Sequence, residues 1–176
     1  MALSTRLRKL MLVTHVASSV ALLGAVAAFL ALAIAGLVNA NGEIVRAAYI
    51  AMNVIAEDVI VPLAFASLLV GIVASLGTPW GLLRHYWVLA KLVLTLFATA
   101  VLLIQMPRIG LVAAAAAANA LSSADYRADR LALVLHSTGG LLILLAPLAL
   151  SYYKPPGMTR YGQRKRFDKA SAPSGT

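Results

Sequence analysis

Three histidines, a lysine and two adjacent carboxylates stand inside stretches that are otherwise apolar. His15 lies in "LVTHVASS", Asn53, Glu57 and Asp58 in "MNVIAEDVIVP", Arg84, His85 and Lys91 in "RHYWVLAKLVL", and His136 in "VLHSTGG". A neutral imidazole carries a lone pair that ligates metals or moves a proton, and carboxylates and amines exchange protons or balance charge. The chain has no cysteine, so thiolate metal sites, disulfides and thiol nucleophiles are excluded. Histidine serves several metals, and no thiolate or facial carboxylate set narrows the choice. Gly-rich phosphate loops, serine-centred elbows and HExxH motifs are absent from the sequence.

The elements that must position these groups are plain in the composition. Of 176 residues, 61% are hydrophobic and 12% charged, and the mean hydropathy is +0.88. Four apolar runs, at about 10–38, 47–76, 84–106 and 131–153, each reach the roughly 20 residues that span a bilayer as a helix. The first run is too long for the roughly 7–15-residue core of a secretory signal, so it reads as a retained helix. The expectation is an all-α, four-helix integral membrane bundle occupying residues 1–153, followed by a basic, mobile tail over 154–176.

Basic residues orient it. Ten flank the ends facing the termini: Arg6, Arg8 and Lys9, Arg84, and six from Lys154 to Lys169, against Arg46, Arg108, Arg127 and Arg130 on the other side. The positive-inside rule then puts both termini in the cytoplasm of a bacterial inner membrane. On this reading the net charge of +9 reports topology and contact with anionic lipid head groups near the tail, and not nucleic acid. The alanine-rich connection Pro107–Arg130 is expected to lie outside the span, with a short surface helix in it.

An ionisable group inside a membrane helix costs at least about 2.5–3.5 kcal/mol and so marks a candidate function. Measured from each run's midpoint, His15 and His85 fall roughly 12–14 Å to the cytoplasmic side, and Lys91 roughly 4–5 Å. Glu57, Asp58 and His136 fall roughly 4–8 Å to the outer side. Helical spacing groups Arg84, Lys91, Thr95 and Thr99 on one stripe, and Arg46, Asn53, Glu57, Ala64, Gly71 and Ser75 on another. Both stripes are expected to point inward. His136 stands one turn before Gly139 and Gly140, where a backbone or a flat ligand approaches closely. Simpler roles stand beside these. His85 suits an interfacial belt with Tyr86 and Trp87. Lys91 suits snorkelling or an ion pair with Glu57, and His15 a hydrogen bond to a neighbouring helix.

The stretches "RKLMLVTHVASSVALLGAVAAFLAL", "VIVPLAFASLLVGIVASLGTPWGL", "RHYWVLAKLVLT" and "YKPPG" resemble a family of small, uncharacterised bacterial four-helix membrane proteins, over nearly the whole chain. More distantly, the layout is similar to copper-resistance-D-type membrane proteins and to the four-helix membrane protoporphyrinogen oxidases that carry b-type heme. The shared features are a first-helix histidine followed by a small residue, a "P…G" second helix and a "W…K" opening to the third. That resemblance implies that His15 is a heme-associated histidine and that Lys91 matches the third-helix lysine. The chain departs from the pattern at Leu23, where those groups carry an aromatic, so the implication is confined to a small heme-binding four-helix membrane protein.

The resulting expectation is a b-type heme protein for electron transfer or heme-linked oxidation. His15 and His85 would be iron ligands, with Lys91 or Arg84 against a propionate and His136 a further cofactor contact. A homodimer or a redox protein would be its partner. Two other classes remain open from the sequence: proton- or ion-coupled transport through Glu57, Asp58, His136 and Lys91, and a non-catalytic scaffold or accessory subunit.

Overall fold

The computed structural model of the protein describes residues 4–77, 81–121, 126–153 and 157–164. Among these there is no named strand, and four long helices dominate: α1 (Thr5–Val38), α2 (Gly42–Leu76), α3 (Tyr86–Ala117) and α4 (Arg127–Tyr153). All four are long and apolar enough to cross a membrane. Large apolar side chains cover their outer faces, Val20, Leu69, Val93 and Leu142 among them. A contiguous apolar surface of this kind marks contact with a membrane or with other protein.

Local chemistry sets the helix ends. Ser4 caps α1 by accepting from the Leu7 amide, and Asn41 caps α2 by accepting from the Glu43 and Ile44 amides. The connection between them is only 39–41, which forces α1 and α2 antiparallel. Helix α1 packs on α2 and α4, and α3 packs on the same two, so the bundle closes as a square. Both described chain ends lie at one end of it, here the terminal end.

The core sits toward the opposite end. Leu22, Val26, Phe29 and Ala33 of α1 recur at spacings of three and four, and meet Tyr49, Met52, Ala56, Ile60 and Ala64 of α2. Ile109, Val112 and Ala116 of α3 and Leu133 of α4 complete it.

Three departures from the expected layout have physical causes. The alanine-rich stretch is no separate surface helix. It extends α3 through Pro107 to Ala117, because Ile109, Val112, Ala113 and Ala116 bury a face that offsets the one donor the proline lacks. Helix α2 contains a π-turn over Ala56–Ile60, where the Val61 amide reaches back five residues to the Ala56 carbonyl. Pro62, which has no N–H for the Asp58 carbonyl, follows directly. The third concerns the tail. Residues 157–164 fold back on the loop before α3, with the Thr159 amide donating to Arg84 O at 2.9 Å and its hydroxyl to Leu83 O at 2.6 Å. The tail's basic residues Lys154, Lys165, Arg166 and Lys169 lie outside the described residues.

At the end away from the termini, one arginine ties three helices. Arg130 of α4 donates from Nε to Tyr49 Oη at 3.0 Å and from Nη2 to Gly36 O at 2.5 Å. Tyr49 is 1% exposed and lies so close to Gly36 that a Cβ there would meet its ring at 2.7 Å. Gly36→Ala is therefore expected to lower stability by about 1–3 kcal/mol through overpacking. Gly24→Ala, whose Cβ would meet nothing within 4 Å, is expected to be neutral or slightly stabilising; thermal unfolding in mild detergent compares the two.

Candidate functional site: a polar layer beneath an apolar groove

At the terminal end, the apolar interior gives way to a layer of polar side chains drawn from all four helices. His15 of α1 places Nδ1 3.0 Å from the backbone carbonyl of Ser67 on α2. A carbonyl only accepts, so Nδ1 carries the proton and the neutral ring keeps its lone pair on Nε2. Gly71, one turn further along α2, makes room for that ring: a Cβ there would stand 2.7 Å from Cε1. Around it, Ser19 and Ser67 share a hydroxyl–hydroxyl bond of 2.7 Å, and Ser18 donates to the His15 carbonyl. Ser75 returns its proton to the backbone of its own helix at Gly71.

Lys91 belongs to the same layer. Its ammonium donates to Ser151 Oγ of α4 at 2.7 Å and lies 4.7 Å from the centroid of the Trp87 ring. Ser151 passes its own proton to Pro147 O at 2.8 Å. A cation so far along an apolar helix is thus held by a hydroxyl and an aromatic face.

The other residues expected in a site have different surroundings. His85 is buried just before α3, where its backbone pairs with Met158 and its ring centroid lies 6.3 Å from that of Trp87. It stands about 9 Å along the helix rise from Lys91. Arg84 accepts from Thr159 through its carbonyl and packs its stem against Gly81, which has a positive φ of 60°. Both therefore help seat the returning segment.

Glu57 does not point inward as its stripe suggested, and neither does Asp58 beside it. Both are exposed, on the π-turn. The buried seam of α2 runs through Met52, Ala56, Ile60 and Ala64, three steps of four residues. The wider π-turn keeps those steps aligned and leaves Glu57 beside the seam. Asn53 does turn in: its Oδ1 is buried near Gly110 with no hydrogen-bond partner among the described residues.

His136 is exposed on α4, with Nδ1 2.6 Å from Ala132 O. It lines a groove of about 430 Å³ between α3 and α4, together with Gly139, Gly140, Thr95, Thr99 and Gln105. Gln105 escaped the sequence reading; its one signal is an uncharged polar residue beside Met106 and Pro107 in an apolar run. Ser67 and Ser151 escaped it too, since a lone serine in such a run carries no distinctive pattern.

Among the described residues, no three His, Asp or Glu side chains gather as a metal cluster. An iron at this layer would thus draw its ligand from the chain as one imidazole. A histidine whose other ring nitrogen is tied to a carbonyl has the usual orientation of a ligating imidazole. Lys91 would be the cation available to a propionate there. Comparison with family models, curated proteins and solved structures gives no match to this chain.

The outward carboxylates generate a prediction. Glu57→Leu with Asp58→Leu is expected to preserve the fold and to stabilise the protein in lipid nanodiscs by up to about 2.5 kcal/mol per residue, read as a higher thermal midpoint. A lowered midpoint would show that the pair engages a partner.

Proposed function

We propose that this chain is a small multi-pass membrane protein that binds a b-type heme through His15, with both termini on the cytoplasmic side of a bacterial inner membrane. The observation that carries the reading is the 3.0 Å contact of His15 Nδ1 with the Ser67 carbonyl. It fixes the ring's orientation and leaves Nε2 as a donor within an apolar four-helix bundle, a common setting for this cofactor. Heme, when bound, supplies one-electron transfer. The chain's own part is to present Nε2, to place the Lys91 ammonium near the same layer, and to keep water out with the apolar seam from Leu22 to Ala33. Orientation rests on the distribution of basic residues.

Coupled transport draws less support, because Glu57 and Asp58 lie on the outside of the bundle, apart from Lys91. An accessory subunit that docks a neighbour through those carboxylates is the better second reading, and it needs no cofactor.

The test is an absorbance spectrum of the protein purified in mild detergent from heme-supplemented cells, oxidised and then reduced with dithionite. A Soret band with sharp reduced α and β bands is expected. His15→Ala should lose it, while His85→Ala should keep it with a lower melting temperature. Retention of chromophore by a folded His15→Ala protein at wild-type stoichiometry would remove His15 as the ligand.

A further inference from the structure

The groove between α3 and α4 has its own chemistry, independent of any heme at His15. It is lined by residues 95–109 of α3 and 133–144 of α4, with Leu22, Phe29 and Ile60 of α1 and α2 as its floor. These are the middle thirds of the helices, so it opens along the flank of the bundle. Phe97 and Ile104 on its rim are 54% and 74% exposed. A ligand therefore enters sideways, from the apolar surroundings.

Its polar atoms are few and mostly committed. The Thr99 hydroxyl donates to Thr95 O at 2.8 Å, and the Ser137 hydroxyl to Leu133 O at 2.7 Å. His136 Nδ1 donates to Ala132 O, which leaves Nε2 as the acceptor in the neutral tautomer. The Gln105 side-chain amide makes no hydrogen bond among the described residues. Two contacts fix the antiparallel register of these helices: Lys91 with Ser151, and Arg108 Nε with Asp129 at 3.0 Å. That register sets Gln105 level with His136 to within one turn, on facing walls. Beside His136, Gly139 and Gly140 leave a flat wall, where an added Cβ would meet nothing within 4 Å.

We propose that this groove binds a lipophilic hydroquinone. One ring hydroxyl donates to His136 Nε2, the opposite oxygen accepts from the Gln105 amide, the ring lies along Gly139 and Gly140, and the apolar tail leaves past Phe97 and Ile104. Because the imidazole offers a lone pair and not a proton, the site favours the reduced form, whose hydroxyl donates, over the quinone, whose oxygens only accept. Pockets of this size, largely apolar with a few convergent polar groups, are typical small-ligand sites.

The test uses heme-free protein in detergent, titrated with decylubiquinol and separately with decylubiquinone by calorimetry. The quinol is expected to bind at least about tenfold more tightly. His136→Ala should erase that preference while leaving quinone affinity within about twofold. Gly140→Leu, which fills open space, should abolish binding of both, and Gly24→Leu, exposed on α1, should change neither. Gly139→Leu serves in place of Gly140→Leu if the latter does not melt like the wild type. Undiminished binding in the filled variant would overturn the proposal. So would equal affinity for quinol and quinone with no effect of His136→Ala, which would identify a groove for acyl chains only.

Discussion

The demand of a polar group on an apolar helix for a partner within the bundle is met across helices at three places, and the relative heights of the four helices follow from it. Hydrocarbon offers no replacement for a lost hydrogen bond. The His15 ring is met by a carbonyl of α2, the Lys91 ammonium by a hydroxyl of α4, and the Arg130 guanidinium by a tyrosine of α2 and a carbonyl of α1. Each contact joins different helices and so fixes their relative heights. Two lie at the terminal end and one at the far end, with the apolar seam between them. Glycines at 36 and 71 permit the close approach that two of these contacts require, and any side chain there would displace Tyr49 or His15.

The same demand explains how the candidate sites relate. The groove ends toward the termini at Leu22, Ala64, Thr95 and Leu144. Each of these stands one or two turns from a member of the polar layer on the same helix: His15, Ser67, Lys91 and Ser151 respectively. An apolar chamber thus adjoins a hydrogen-bonded floor. A hydroquinone in the chamber and a heme at the floor would be neighbours, which joins the two proposals into one redox arrangement without making either depend on the other.

The four helices were legible because apolar length is written directly in the sequence. Their limits were less so. Pro107 looked like a stop, yet the face formed by Ile109, Val112 and Ala116 continues the helix, and burial of that kind depends on a neighbour the sequence does not display. The outward turn of Glu57 has a similar origin: a stripe drawn at an even helical pitch cannot anticipate a π-turn, although Pro62 hinted at irregular bonding nearby. Of the chemical residues, His15 and Lys91 were identifiable as ionisable groups in apolar runs. The partner of His15 was not, because it is a backbone carbonyl that any residue at position 67 would supply. His85 looked like a companion to His15 by depth alone, whereas the segment 157–164 that covers it returns from the far end of the chain.

Heme binding at this layer depends on the state of one ring. Nitrogen-15 NMR of histidine-labelled, heme-free protein in nanodiscs, with His15 assigned by comparison with His15→Gln, measures that state directly. The heme proposal predicts a neutral imidazole with the proton on Nδ1 and a bare Nε2, whose resonance shifts most strongly when heme is added. A proton on Nε2 with Nδ1 bare would contradict the contact with the Ser67 carbonyl, and with it the role given to His15.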